Sequence, residues 1–333
     1  MNLARLGLRA FLLLLTCSGA LALSGAPAAT VRISGKEYVR VTDWARSNEL
    51  EPRWIKKEHD LQLGNGSYRI SLSVDSSDAQ FNGIGLRLCY PLVLREGVPL
   101  LSQIDVESTF RPLFSPPINR AGRAVKSICI DPGHGGTDSG FRIGSNQEKK
   151  FTLLLAQELR DQLVKAGFKV SLTRTRDVTL DLPVRAEIAK NRAADLFISL
   201  HFNSAPSSAS TVRGAEVYCM TPAGAPSSNA RGEGSGAGWF PGNRLNDKNV
   251  CLAFNLQKSL AKELGVEDRG MHRARFQVLR EATMPAVLIE GGFMSHPVEG
   301  RKIFDAVYRK QMAHAILDGV LAYKRQVEPK SSR

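Results

Sequence analysis

From residue 125 onward, short apolar runs alternate with longer amphipathic segments, and this alternation limits the folds that the chain can adopt. The segment 149–166 has a large apolar residue at every fourth position from Phe151 to Leu163, which predicts a helix with one buried face. The runs at 196–200 and 286–289 have the length and apolar content of buried strands. Strands that alternate with helices form a parallel sheet covered on both faces. We therefore predict an α/β fold around a mostly parallel, twisted sheet flanked by helices.

Residues that stop or start helices locate the boundaries within this region. Gly167 follows the helical segment and suits a left-handed C-terminal stop. Asp181 with Pro183 is typical of a helix start. The predicted strands are 127–131, 168–173, 196–201, 214–220, 276–279 and 286–290, and the predicted helices are 149–166, 181–193, 250–264 and 303–323.

The region before residue 116 has a different pattern. Alternating polar and apolar stretches, such as 68–74, are separated by Gly-Asn-Gly and Asn-Gly turns. A period of two with such turns predicts small antiparallel strands. We predict a small β-rich targeting or interaction module at 31–115, a linker at 116–124, the α/β domain at 125–325 and a basic tail at 326–333.

The first 29 residues have the features of a secretory signal peptide. Two arginines precede an apolar run from Phe11 to Leu23, and small residues at 26–28 suit cleavage. The run is short for a spanning helix, so an uncleaved anchor is the less favoured alternative. Lipid attachment at Cys17 is a minor alternative, because the preceding Thr16 is larger than the residue usual there. We expect an exported protein of the periplasm or cell wall.

The net charge of +13 at pH 7 favours polyanionic surroundings. The basic residues are scattered, and the sequence contains no recognisable nucleic-acid-binding module. We therefore expect no nucleic-acid partner. For an exported protein, cell-wall polymer and acidic lipid are the polyanions that it meets first.

Four cysteines follow Cys17, and their spacing forms no metal-binding knuckle. Cys129 and Cys219 lie within apolar, strand-like runs, which favours buried free thiols. Export permits disulfides, so a bridge between Cys219 and Cys251 stays open as the alternative.

Four ionisable residues stand where predicted strands end or where a helix begins. His134 follows the first strand of the α/β region, and Glu148 opens the helix that comes next. His201 and Glu290 each close a later strand. Functional side chains gather beyond the carboxyl ends of strands in an open parallel sheet, so these four can converge. Two imidazoles and one carboxylate make a catalytic zinc set, and a second carboxylate can accept a proton from water.

Each of these residues also has a simpler explanation when it is taken alone. A His after Pro-Gly is commonly a loop residue, and the macrodipole favours an acid such as Glu148 at a helix start. Glu290 is harder to explain in this way, because an unpaired charge at the end of a buried strand is costly. The joint pattern favours a zinc site.

Three further polar residues lie near the predicted site. Asn203 lies two residues beyond His201, so its side chain can point to the same face. Arg280 follows a predicted strand, where it suits a substrate carboxylate or oxyanion as well as it suits a structural salt bridge. We take Asn203 and Arg280 as candidate substrate-binding residues. Asp131 is expected to orient a metal ligand from behind.

The chain resembles the zinc-dependent N-acetylmuramoyl-L-alanine amidases that cut bacterial cell walls. The resemblance covers residues 126–322 and rests on motifs in the right order. These are Asp-Pro-Gly-His-Gly-Gly at 131–136, Glu-Lys at 148–149, Ser-Leu-His-Phe-Asn at 199–203 and Pro-Ala-Val-Leu-Ile-Glu-Gly-Gly-Phe at 285–293. The resemblance implies that His134, Glu148 and His201 bind Zn²⁺ and that Glu290 is the catalytic acid and base.

The same resemblance implies an activity and a mode of regulation. The implied reaction is hydrolysis of the amide between N-acetylmuramic acid and L-alanine in peptidoglycan, which releases stem peptides. Some family members have Asp at the position of Asn203, and some have an inserted helix that blocks the site until a partner displaces it. The Gly-rich segment 221–249 lies in a comparable region, although its composition disfavours a stable helix. A protein activator or a wall ligand is the expected partner of the N-terminal module.

Two other functions remain open on the sequence. A zinc carboxypeptidase or endopeptidase acting within the stem peptide would use the same four residues. A wall-binding protein without activity would keep the fold, but the intact set of four residues disfavours it.

Overall fold

The computed structural model describes residues 30–121, 123–228 and 238–329 of the 333-residue chain. The predicted signal peptide and Cys17 lie outside the described residues, as do positions 330–333 of the predicted tail. The strands are β1 (Thr30–Ile33), β2 (Lys36–Arg40), β3 (Glu51–Lys56), β4 (Asp60–Gly64), β5 (Arg69–Ser73), β6 (Asp78–Phe81), β7 (Ile84–Arg87), β8 (Val93–Arg95), β9 (Val98–Ser102), β10 (Ser127–Pro132), β11 (Arg142–Ile143), β12 (Asn146–Gln147), β13 (Lys169–Leu172), β14 (Leu196–Asn203), β15 (Ala215–Met220), β16 (Asp268–Ala274) and β17 (Ala286–Phe293). The α-helices are α1 (Val41–Ser47), α2 (Gln103–Asp105), α3 (Arg111–Phe114), α4 (Glu148–Lys165), α5 (Leu182–Asn191), α6 (Asn246–Leu264), α7 (Gln277–Arg280), α8 (Pro297–Phe304) and α9 (Ala306–Val327).

The predicted α/β sheet is present, in the order β13-β10-β14-β17-β15-β16. Neighbouring strands are parallel except for β15 and β17, which pair antiparallel. The carboxyl ends of β10, β14 and β17 therefore meet at one edge of the sheet, next to the amino ends of β15 and β16. The prediction of a mostly parallel sheet is confirmed.

Helices cover both faces of this sheet, because the strands direct apolar side chains to both faces. Ile128, Ile130 and Ile198 pack with apolar residues of α4, α6 and α9 in one core cluster. Cys129 and Phe197, which point the other way, pack with α5 and α7 in a second cluster. The sheet is thus buried on two faces, as its continuous apolar runs require.

The N-terminal strands extend the same sheet. Strand β7 pairs parallel with β16, and β6, β5, β4 and β3 follow as an antiparallel meander. Their buried face, with Leu63, Ile70 and Leu72, belongs to the core cluster that also contains α6 and α9. Strands β1, β2, β9 and β8 form a separate four-stranded sheet. The β-rich N-terminal region is confirmed, while its division from the α/β part at 116–124 stays a prediction, since sheet and core run through both.

Two predicted elements differ from the structure. The predicted strand 276–279 is wrong: Gln277–Arg280 is the short helix α7, and the strand before it is β16 at Asp268–Ala274. Sequence periodicity fails here because a run of only four residues fits either structure. The predicted helix 303–323 is two helices, α8 and α9, and the Asp305 side chain caps the second by accepting from the Tyr308 backbone N–H.

The four cysteines of the described residues, Cys89, Cys129, Cys219 and Cys251, are free and buried, which confirms the preferred prediction over the Cys219–Cys251 disulfide. Burial raises the pKa of the Cys129 thiol to about 11 and that of Cys251 to about 12, so both are protonated at neutral pH. Within the described ranges, none of the helices is long and apolar enough to cross a membrane.

Candidate functional site

The loop after β10 places His134 at the sheet edge. His134 has a φ of 61°, and Gly135 and Gly136 follow with φ values of 131° and 58°, so the chain turns sharply here. Two buried arginines hold the turn through its carbonyls. Arg174 donates to the Gly133 carbonyl at 2.8 Å and Arg185 to the His134 carbonyl at 2.9 Å.

Glu148 is the first residue of α4, and its carboxylate is buried and fully engaged. Its Oε2 accepts from the Phe141 backbone N–H at 3.0 Å, and its Oε1 accepts from the Phe202 N–H at 3.1 Å. These bonds fix the carboxylate between the loop after β10 and the end of β14.

His134, Glu148 and His201 meet at one point. Glu148 Oε1 lies 3.0 Å from His134 Nε2 and 3.1 Å from His201 Nδ1. One donor atom from each residue lies within 4.8 Å of the others, a spacing at which one ion can bind all three. Among the described residues, this is the one group of His, Cys, Asp or Glu side chains with such spacing.

His134 is oriented from behind by Asp138, whose Oδ2 lies 2.7 Å from Nδ1 of the imidazole. If Nδ1 donates this bond, Nε2 faces Glu148 with either a second proton or a bound cation. Asp138 thus holds the ring as partners of metal-bound imidazoles do. Asp131, which the sequence suggested for this task, instead accepts from Arg185 at 2.9 Å and from Ser199 at 2.8 Å.

The site also shifts proton affinities. Burial acts to lower the pKa of His134, but hydrogen bonds and charge interactions with Glu148 and Asp138 outweigh it and raise that pKa. Burial acts to raise the pKa of Glu148, but bonds to both imidazoles outweigh it and hold that pKa well below its usual range. A carboxylate that stays ionised beside two imidazoles suits a cation.

Glu290, on β17, is the fourth ionisable residue of the site. It stands opposite His201 in the register of β14 and β17, and it is opposite Glu216 in β15. Its Oε2 is buried and has no hydrogen-bond partner among the described residues. Burial, and then the negative charges of Glu148 and Glu216, raise the pKa of Glu290 well above its usual value.

These side chains line one cleft of about 320 Å³. His134, Glu148, His201 and Glu290 lie in it together, and Asn203 joins them at its wall. Arg280 lies on α7 and is not among the lining residues; its guanidinium stacks 5.2 Å from the ring centroid of Phe240. The structure therefore brings five of the six predicted site residues together.

Sequence reasoning missed two acidic residues that shape the site. The sequence signal for Asp138 is weak, because it is only a short polar residue four positions after His134 in a Gly-rich loop. Glu216 has a stronger one, since it is an acid within the apolar run 215–220, and a buried acid needs partners. Glu216 accepts a hydrogen bond from the Asn203 side chain.

Comparison with known proteins agrees with this geometry. The family model described as N-acetylmuramoyl-L-alanine amidase matches residues 128–322, more than half of the chain. N-acetylmuramoyl-L-alanine amidase AmiC of Neisseria meningitidis serogroup B is 35% identical over 219 residues, 59% of this chain. The chain spans 52% of the length of that relative.

Two solved structures are similar to the α/β part. The N-acetylmuramoyl-L-alanine amidase of Clostridium difficile 630 has a TM-score of 0.50 and 32% identity, covering 60% of this chain and 97% of its own. Amidase AmiC2 of Nostoc punctiforme has a TM-score of 0.51 and 30% identity, covering 61% and 99%. With the matched region spanning all four convergent residues, this chain belongs to the N-acetylmuramoyl-L-alanine amidase family.

Proposed function

We propose that this protein is a zinc-dependent enzyme that hydrolyses the amide between N-acetylmuramic acid and L-alanine in peptidoglycan. The observation that carries the proposal is the buried, unpartnered Glu290 oxygen in the same cleft as His134, Glu148 and His201. A buried carboxyl oxygen without a hydrogen-bond partner is costly unless a ligand or a reactant supplies that partner.

The donor set fits zinc. His134 Nε2, a Glu148 oxygen and His201 Nδ1 would hold the ion, and two imidazole nitrogens with one carboxylate oxygen are a donor set typical of catalytic zinc. When bound there, zinc would polarise a carbonyl and make a water molecule more acidic. The bond from Asp138 would keep the His134 ring turned toward the ion.

Glu290 is suited to move the proton. As the carboxylate, it accepts a proton from the attacking water, and as the acid it passes that proton to the departing amine nitrogen. Burial raises the pKa of Glu290, which makes its carboxylate a stronger proton acceptor in the first step. The residue thus has both roles in one catalytic cycle.

The substrate is proposed from family membership together with the cleft. Peptidoglycan lies outside the cytoplasm, which agrees with the export predicted from residues 1–29. The positive net charge would help retention on a polymer that carries carboxylates, and salt would weaken it. An activator or a wall ligand for the N-terminal region stays a prediction.

The decisive experiment is digestion of purified peptidoglycan by the mature chain, with fragments identified by mass spectrometry. Intact stem peptides that begin with L-alanine, lost with chelator and restored by zinc, are the expected products. Shortened stems would instead establish a peptidase, and a protein that binds the wall without cutting it would contradict catalysis.

A variant separates the role of Glu290 from metal binding. Glu290→Gln keeps the shape of the side chain but cannot accept a proton from water. We expect the rate to fall by about 10²-fold or more, while the zinc content stays unchanged. Equal activity of the variant and the parent protein would rule out Glu290 as the acid and base.

A further inference from the structure

The cleft has an apolar wall in addition to the candidate metal ligands and Glu290. Phe276 and Val278 line it from the start of α7, Leu182 lines it from the start of α5, and Leu288 lines it from β17. Helices α5 and α7 both contribute to the second core cluster, which holds this wall in place. The cleft therefore offers a substrate apolar surface close to the ionisable residues.

Gln277 is the polar exception in this wall. It is half-buried and lines the cleft, and its side chain forms no hydrogen bond with any residue that the structure describes. The backbone around it is fixed, since the Phe276 carbonyl accepts from the Leu279 and Arg280 N–H groups at 2.8 and 3.0 Å. A rigid turn of chain thus carries an amide side chain that is available to a ligand.

Outside the candidate metal site, the described lining of the cleft has no available cation. Arg185 is the one Lys or Arg among the described lining residues. Its Nη1 donates to Asp131 at 2.9 Å and to the Pro132 carbonyl at 3.0 Å, and its Nη2 donates to the His134 carbonyl at 2.9 Å. A substrate carboxylate would find no arginine or lysine partner here, so this part of the cleft favours an uncharged group.

Gln277 also differs from Asn203, the other amide side chain of the lining. The Asn203 amide donates to Glu216, and its Oδ1 accepts from the Ser204 N–H at 2.8 Å. Gln277 keeps both of its functions available, an N–H donor and a C=O acceptor. These two functions match the C=O and N–H of one amide group, and the apolar residues beside Gln277 suit a methyl group attached to that amide.

We propose that Gln277 is a specificity-determining residue that binds an uncharged, methyl-bearing amide of the substrate. We call Gln277 together with Phe276, Val278 and Leu182 the amide subsite. The proposal rests on the proposed amidase function. In that substrate two groups have the required chemistry: the acetamido group of N-acetylmuramic acid, and the L-alanine residue with the amide that follows it in the stem. Substrates that lack one of these amides separate the two sources.

The test uses the full mature, zinc-loaded chain and three soluble, uncharged-tail substrates. The reference is N-acetylmuramic acid joined to L-alanine amide. The second has a hydroxyl in place of the acetamido group, and the third ends in L-alanine methyl ester, which has no second amide. Gln277→Ala should lower kcat/KM about tenfold on the reference and have no effect on the substrate that lacks the partner amide. Gln80→Ala, at an exposed position of β6, is the control and should change none of the values.

The pattern over the three substrates decides the outcome. Loss of the effect on the hydroxyl substrate would assign the subsite to the acetamido group, and loss of the effect on the ester would assign it to L-alanine. An equal fall on all three would reveal a merely structural role, and unchanged values on all three would show that Gln277 contacts no substrate; either result overturns the proposal. Gln277→Met keeps the length of the side chain without its hydrogen bonds, and it should reproduce the pattern of Gln277→Ala.

A binding measurement separates this proposal from the amidase proposal. Calorimetry of the zinc-loaded Glu290→Gln protein with the intact reference compound should give binding that becomes about tenfold weaker when Gln277→Ala is added. That result would keep the amide subsite even if the parent protein cleaved no amide, in which case the amidase proposal alone fails. Unchanged binding would refute the amide subsite, and cleavage by the parent protein would then leave the amidase proposal standing.

Discussion

At the scale of single residues, this protein gathers the three acids Glu148, Glu216 and Glu290 at one edge of its sheet. Glu148 is held by two backbone N–H groups and two imidazoles, so its charge is satisfied. Glu216 is held by Asn203, with Arg269 and His272 nearby. Glu290 has no such partner for Oε2 among the described residues. The difference in partners is what separates a ligand or a structural acid from a group that can exchange protons.

The unpartnered acid predicts a pH-dependent stability for the metal-free protein. The pKa of Glu290 in the folded protein is raised above its ordinary value of 4.5. As pH rises above 4.5 the unfolded chain loses this proton first, so the native state loses stability until pH passes the folded-state pKa. Glu290→Gln does not ionise, so its melting temperature should exceed that of the parent protein at pH 8. The free-energy gain is about 1.4 kcal/mol for each tenfold difference in proton affinity of the carboxyl group between the folded and unfolded states.

Thermal unfolding in chelator at pH 4 and pH 8 measures this effect. The advantage of Glu290→Gln should be small at pH 4 and largest at pH 8. Glu187→Gln, on the exposed side of α5, is the matched control and should behave as the parent protein at both pH values. A constant difference across the pH range would contradict the assignment.

At the scale of elements, the loops at the strand ends position the side chains of the candidate metal site. The loop after β10 passes so close to the end of β14 that a Cβ on Gly133 would lie 2.3 Å from the His201 ring. Glycine at position 133 therefore leaves room for the imidazole ring of His201. In contrast, residues 276–279 were predicted as a strand, because a run of four residues is too short to distinguish the period of a helix from that of a strand.

The close contact at Gly133 gives a test of the loop. Gly133→Ala should push the His201 ring from its place and lower zinc affinity by at least about tenfold, as displaced support of a metal ligand does. Gly66→Ala is the control, since a Cβ there meets nothing within 4 Å. Titration with zinc in the presence of a competing chelator measures the zinc affinity of both variants. Unchanged affinity in Gly133→Ala would show that the loop can move away without affecting the site.

At the scale of the whole molecule, the N-terminal strands are part of the sheet that carries the site. Phe81 of β6 lies 5.5 Å from Phe254 of α6, measured between ring centroids, and Phe114 packs edge-on against Phe81 at 5.4 Å. One core cluster contains apolar residues from both sides of the predicted linker 116–124, and the division into two domains there stays a prediction.

Removal of residues 1–115 should therefore expose apolar surface. The shortened chain loses the partner strand of β16 and the ring of Phe81 against Phe254. We expect its free energy of unfolding to fall by about 2 kcal/mol or more, the value of one large buried side chain, and we expect self-association through the open edge. Chemical denaturation and light scattering measure both. A monomeric shortened chain with undiminished stability would instead support two independent domains with a boundary at 116–124.

The sequence by itself determined the α/β class and the four convergent residues His134, Glu148, His201 and Glu290. These depend on local signals: apolar runs of strand length, a helix with one apolar face, and polar residues at strand ends, which a parallel sheet brings to one edge. Only the tertiary structure decided that β7 pairs with β16, that Asp138 rather than Asp131 orients His134, and that the Arg280 guanidinium packs on the Phe240 ring and does not line the cleft. Those contacts join residues through long-range pairing or side-chain direction, and neither leaves a periodic pattern in the chain.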